Sequence, residues 1–219
     1  MAASMTLTEL QTSLLECQRC RLASGRTQVV FGTGNPHATI MFVGEAPGFY
    51  EDKQGEPFVG AAGKLLNELL GSIGLSRSDI YIANVIKCRP PNNRDPQPDE
   101  VSTCKPFLLN QIQFIRPHLV CTLGNFATQT LLNTKVGISK VRGRAIPLPD
   151  FVVFPLFHPA AALHQGNLKA LLVEDFQKLK DVLETMKQQL TDSPLPEPSS
   201  QTQEQSEPEA IQPIQMNLF

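Results

Sequence analysis

Four short apolar runs constrain the fold of this chain more than any other feature: ATIMFV (Ala38–Val43), IYIANV (Ile80–Val85), HLVCTL (His118–Leu123) and FVVFPLF (Phe151–Phe157). Each has the length of a strand and almost no polar alternation, so each must be covered on both faces. Between them lie AAGKLLNELLGSIGL, VSTCKPFLLNQIQFI and GNFATQTLL, all with helical periodicity, and LKALLVEDFQKLKDVLETMKQQL follows the last. An amphipathic helix is expected over Leu7–Cys17, with Leu10, Leu14 and Leu15 on one face. Strands alternating with helices predict an α/β fold, a three-layer α/β/α sandwich around a four-stranded parallel sheet. In such sheets ligands sit beyond the carboxyl ends of the strands. The residues falling there are Gly44, Glu45 and Ala46 after the first run, Asn84 in the second, Gly124 and Asn125 after the third, and His158 after the fourth.

Composition changes sharply near the C-terminus. From Thr191 to Ile214 the chain is rich in Pro, Ser, Gln and Glu and has no aromatics, which predicts a disordered tail. The division expected is one domain over residues 1–189 and an acidic tail over 190–219. The last 30 residues hold five acids and no Lys or Arg, so the formal charge of −2 for the chain becomes +3 for residues 1–189. Such a body permits contact with nucleic acid without demanding it. No apolar run approaches the roughly 18 to 20 residues that span a bilayer, and no basic-then-apolar leader is present, so a cytoplasmic protein is expected. Five cysteines in that compartment favour metal or redox chemistry over structural disulfides.

The stretch GEAPGFYEDKQGEPFVGAAGKLL (Gly44–Leu66) carries five glycines and four acids directly behind the first run. It is not a Walker loop, because Phe58 and Leu65 stand where a glycine and a hydroxyl residue are required. Its glycines never fall into GxGxxG register. Glu45, Glu51, Asp52 and Glu56 would repel a bare pyrophosphate, so the loop suits a neutral, planar or hydroxylated ligand. Cys17 and Cys20 form a Cys-x2-Cys pair, and Cys88 and Cys104 stand apart with fifteen residues between them. The four could hold tetrahedral zinc or a cubane iron–sulfur cluster, and spacing alone does not choose. Cys121, inside an apolar run, reads as a small buried hydrophobe, and His118 and His164 read as solvent-facing. Asn84 lies between apolar neighbours and must find partners if buried. His158 begins FHPAAAL, where small residues would let a ligand approach.

Taken together, VGEAPGFYEDKQGEPFVGAAGKLL, YIANVIKCRPPNNRDP, FHPAAAL and the set Cys17, Cys20, Cys88 and Cys104 resemble the family 4, iron–sulfur uracil-DNA glycosylases, over about residues 5–185. The resemblance implies a [4Fe-4S] cluster on those four cysteines and hydrolysis of the N-glycosidic bond of uracil in single- or double-stranded DNA, the first step of base excision repair. It implies a flipped base stacked on Phe58, read by Asn84 and approached by the backbone of Gly44, Glu45 and Ala46, with Glu51 crowding C5 and His158 donating to O2. Ala46 stands where family 1 enzymes offer an aspartate to the attacking water, which leaves Glu45 as first choice for its activator. Leu163 is the expected minor-groove wedge and Lys169 a further DNA contact. A non-catalytic nucleic-acid-binding protein on the same fold and a glycosylase for other deaminated bases are the rival readings.

The chain closes on IQPIQMNLF, an apolar end to a polar tail. Gln215, Leu218 and Phe219 resemble the peptide with which bacterial polymerases and repair proteins dock on the sliding clamp, and a monomer tethered to a bacterial-type clamp is expected.

Overall fold

The computed structural model describes residues 5–192, the last four by backbone alone. The strands are β1 (Thr33–Gly34), β2 (Ile40–Gly44), β3 (Tyr81–Asn84), β4 (Leu119–Leu123), β5 (Ile146–Pro147) and β6 (Val152–Leu156). The α-helices are α1 (Leu7–Leu14), α2 (Phe49–Gln54), α3 (Ala61–Ser72), α4 (Pro98–Ile115), α5 (Asn125–Leu132), α6 (Ile138–Val141), α7 (Pro159–His164) and α8 (Gly166–Asp192).

The sheet runs β1-β3-β2-β4-β6-β5. Its four central strands are parallel, as the apolar runs predict, with Gly44 opposite Asn84 and Val43 opposite Thr122. The sheet has six strands rather than four, because β1 and β5 add antiparallel edges of two residues each. Elements so short, one ending in Gly and one in Pro, leave no apolar run to read.

Alternation along each strand builds two cores. Ile40 and Phe42 pack with Leu66, Leu70, Phe154 and Phe176 under α3, α7 and α8. Met41 and Val43 pack on the other face with Leu10, Leu14, Leu108 and Ile112 under α1, α4 and α5. The central strands are therefore apolar almost throughout, Asn84 and Thr122 excepted, and truncating one of their large side chains to alanine costs about 2–5 kcal/mol. Cys121 lies fully buried in the first core, while His118 and His164 are exposed.

Helix starts follow local chemistry. A reciprocal Thr6–Glu9 capping box opens α1. Its helix stops at Leu14 rather than Cys17, and Leu15 is 58% exposed instead of sharing the buried face. The reason is a turn in which the Cys17 amide donates back to the Leu14 carbonyl (3.0 Å), which aims the Cys17–Cys20 segment at α4. Pro98 in the first turn, with a Gln97–Glu100 box, starts α4 before the apolar periodicity does. Among the described residues no helix is long and apolar enough to cross a membrane.

Candidate active site

At the carboxyl ends of β2, β3 and β6, Glu45, Ala46, Gly48, Glu51, Phe58, Asn84, Arg94, His158 and Ala160 line part of a cavity of about 330 Å³. That is the small end of the range for ligand pockets, about 300–1,000 Å³. At Gly44, a Cβ would collide with Asn84 Oδ1 and lie 2.7 Å from the Phe58 ring. Glycine alone leaves the space between amide and ring open.

Asn84 is 2% exposed, and its Oδ1 has no hydrogen-bond partner among the described residues. An orphaned buried acceptor is costly, roughly 1–3 kcal/mol, and calls for a donor that the polypeptide does not supply. Phe58 forms the wall, buried and held at φ 55°, a strained conformation for an aromatic residue. Two clamps keep it there. The Arg77 guanidinium donates to the Phe58 carbonyl (3.2 Å) and to the Pro57 carbonyl (2.7 Å). Gly63 on α3 leaves room for the same Phe58 carbonyl, which any Cβ would strike.

His158 caps α7, its Nδ1 accepting from the Ala160 amide at 3.1 Å. An accepting Nδ1 carries no proton, so the neutral ring holds its proton on Nε2. The ring stacks near Phe58, with centroids 5.6 Å apart. Burial pulls its pKa down to about 4, against a smaller upward pull from Glu51, so it is neutral at physiological pH. Glu45 is half-buried, and burial followed by the nearby Asp95 charge raises it to about 6. Glu51 spends one oxygen on the loop itself, with Oε1 accepting from the amides of Val59 and Gly60 at 3.0 Å each.

Cys17, Cys20, Cys88 and Cys104 belong to one packed cluster with α1 and α4. Cys17 follows α1, Cys20 precedes a short 3-10 turn, Cys88 follows β3 and Cys104 lies in α4; the last two are buried and the first two half-buried. Arg26 Nη1 approaches Cys88 Sγ at 3.6 Å and donates to the Cys17 carbonyl at 2.7 Å, and the Lys87 amide donates to Cys104 Sγ at 3.3 Å. Burial pushes the Cys88 thiol up to about 11, opposed by Arg26 and reinforced by Cys104 and Cys20. Among the described residues, no three His, Cys, Asp or Glu side chains come together closely enough to hold a metal ion as they stand. Cys121 is remote from this corner, in the opposite core.

Leu163 is 45% exposed on α7, one turn beyond the cavity-lining Ala160, and Lys169 is exposed at the start of α8. Gln215, Leu218 and Phe219 lie outside the described residues. Several site residues escaped sequence reasoning. Asn93 and Arg94 line the cavity, the latter paired with the buried Glu100 at 2.6 Å and 2.9 Å. Phe49 and Tyr50 stand exposed beside Gly48, with the Arg89 guanidinium 5.0 Å and the Lys53 ammonium 4.5 Å from the Phe49 ring centre. The available signal was FYEDK directly behind the first glycines, an aromatic pair with a cation in reach.

A strained aromatic wall, an orphaned amide and a neutral histidine thus line one small cavity at the carboxyl ends of the strands of an α/β sheet. The comparisons give that arrangement a family. Residues 31–187 match the uracil DNA glycosylase superfamily. Similar proteins include the type-4 uracil-DNA glycosylase of Sulfurisphaera tokodaii, 46% identical over 85% of this chain and 89% of that protein. The type-4 enzyme of Saccharolobus solfataricus is 50% identical over 77% of this chain and 82% of its own length, and that of Thermotoga maritima 47% identical over 77% and 90%. The chain belongs to the type-4 uracil-DNA glycosylase family.

Proposed function

We propose that this protein removes uracil from DNA by base flipping, as a monofunctional glycosylase that opens base excision repair. The observation that carries the reading is the orphaned Oδ1 of Asn84, a buried acceptor facing a cavity beside a neutral histidine whose free proton is on Nε2. Uracil presents the matching edge, an N3–H donor between two carbonyls, on a flat face suited to Phe58. In this reading Asn84 accepts from N3–H, while His158 Nε2–H donates to O2. As the bond from N1 to the sugar breaks, its electron pair passes into the ring and negative charge grows at O2. A neutral donor fixed there in advance stabilises that charge, and loss of one such donor costs about 10²–10³-fold in rate. The sugar cation left at C1′ takes up water. Glu45, raised to about 6 and still mostly ionised at pH 7, accepts the water's proton. Glu51, already braced on two loop amides, forms the wall at C5 rather than a chemical group.

The cysteine corner suits a [4Fe-4S] cluster by its donor set: four thiols from three separate segments, with an N–H donor on two of the sulfurs. Cys17, Cys20, Cys88 and Cys104 would hold it. Bound there, a cluster supplies cross-links that tie α1, the segment after β3 and α4 together, apart from the pocket. DNA would lie across the mouth, with Leu163 as wedge and Lys169 beside it, and Gln215, Leu218 and Phe219 would tether the cytoplasmic monomer to a sliding clamp. The test is a gel assay on oligonucleotides carrying uracil, hypoxanthine or a thymine mismatch, with alkali cleavage of abasic sites. Strand breaks at uracil and none at thymine are expected; intact uracil strands would leave a binding protein only.

A further inference from the structure

Lys87 is the one lysine in the described chain with no exposed surface, and both acceptors of its ammonium are neutral oxygens. Nζ donates to the backbone carbonyl of Asn84 at 2.8 Å and to Gln111 Oε1 at 2.5 Å. Gln111, also fully buried, donates from Nε2 to the Phe31 carbonyl at 2.9 Å and reaches the Tyr81 hydroxyl at 3.5 Å. A buried ammonium without a carboxylate is costly, and a leucine or methionine would fill the same space at lower cost. Such a residue is expected where its hydrogen bonds hold something in place.

What they hold is the end of β3. The edge strand β1 pairs only with Tyr81 and Ile82, so it offers nothing at the level of Asn84. On the other side, Val85 and Ile86 donate to the carbonyls of Gly44 and Glu45, which secures the backbone just beyond Asn84 toward β2. Lys87 and Gln111 replace the missing edge. They carry a hydrogen-bonded path from the Phe31 carbonyl through Gln111 Nε2, Gln111 Oε1 and Lys87 Nζ to the Asn84 carbonyl, fastening strand end to helix α4 and to the segment before β1. The side chain on that same residue carries the orphaned oxygen at the pocket floor. Lys87 also stands between Asn84 and the cysteine corner, since its own amide donates to Cys104 Sγ.

We propose that Lys87 and Gln111 are positioning residues that aim the Asn84 amide at the flipped base. The inference rests on the reading of Asn84 as the group that meets uracil's N3–H. A misplacement of about 1 Å in such a group costs on the order of 10²-fold, so the loss of either link is a kinetic event before it is a structural one.

The experiment is a double-mutant cycle on the full chain, with single-turnover release of uracil from a single-stranded oligonucleotide and inhibition by free uracil as readouts. Lys87→Met should slow release by roughly 10- to 100-fold and weaken inhibition by uracil with it. Gln111→Leu, seven residues from the nearest cysteine on α4, should do the same in smaller measure and serves if Lys87→Met does not fold. In an Asn84→Ala background neither change should cost more than about twofold, because residues acting through one group are not additive. A merely structural role would lower the rate of Asn84→Ala by the same factor as the wild type, and that additivity would overturn the proposal. If Asn84→Ala is inactive while Lys87→Met and Gln111→Leu keep full rates, the relay is wrong and the pocket reading stands. If Asn84→Ala itself keeps full activity, the pocket reading fails and the relay falls with it.

Discussion

The base pocket and the cysteine corner lie a few residues apart, at Asn84 and Cys88, yet they are held by different means. Three walls of the pocket are held by the protein: Glu51 takes two loop amides, Phe58 is clamped by Arg77, and His158 is locked by its own helix. Among the described residues Asn84 Oδ1 has no partner, and the Nε2 proton of His158 stays free. In the corner, among the described residues, N–H donors reach the sulfurs of Cys88 and Cys104, and burial raises both thiols. The difference is in what holds each: hydrogen bonds from neighbouring segments organise the pocket, while the corner is packed and buried, with N–H donors on two of its four sulfurs.

That comparison breaks most visibly at the pocket. His158→Ala or Asn84→Ala should cut single-turnover uracil release by about 10²-fold or more while the protein stays folded; near-wild-type rates would remove the assigned roles. The corner should respond in the opposite order. Cys17→Ala or Cys88→Ala should bleach the visible iron–sulfur absorbance and lower the melting temperature, as stripping the iron should, whereas Cys121→Ala should keep the colour. Full absorbance in a Cys88 variant would exclude that ligand.

Between these lies Gly63→Ala, whose methyl must displace the Phe58 carbonyl. Overpacking of this kind costs about 1–3 kcal/mol, and chemical denaturation should show it together with weaker base capture. If stability and KM are both unchanged, Phe58 is not held as described. The pH profile should sharpen the chemistry. Release should rise through about pH 6 as Glu45 ionises, by about tenfold from pH 5 to 6.5 for a required carboxylate base. No loss from His158 should appear until pH nears 4, where it gains a proton. Glu45→Gln should flatten the step near 6; an unchanged step would assign it elsewhere. The smallest effect expected is a few-fold loss for Leu163→Ala on duplex substrates, with single strands spared. Equal loss on both would make Leu163 a packing residue.

The central sheet was legible because strands buried on both faces must be apolar throughout. The same rule exposed Asn84 and His158, polar groups at the ends of such runs. The two edge strands were not legible, because two-residue pairings depend on neighbours and not on composition. Arg77 was invisible for a different reason: its carbonyl partners at Pro57 and Phe58 come from a loop some twenty residues earlier. Gln111 lies in an amphipathic helix, and nothing in that pattern marks it; its contacts with Phe31 and Lys87 come from segments distant in sequence. For Lys87 a signal did exist, since VIK follows a buried run without a turn residue between.

The proposed chemistry depends most on His158 being neutral, with its proton on Nε2, before any substrate arrives. Nitrogen-15 NMR of histidine-labelled protein measures both properties at once. The account predicts one histidine with a protonated Nε2 and an unprotonated Nδ1, unchanged from pH 8 down to about 5 and titrating near 4. A His158 signal that titrates near its ordinary value of about 6.5, or one protonated at Nδ1 when neutral, would contradict it.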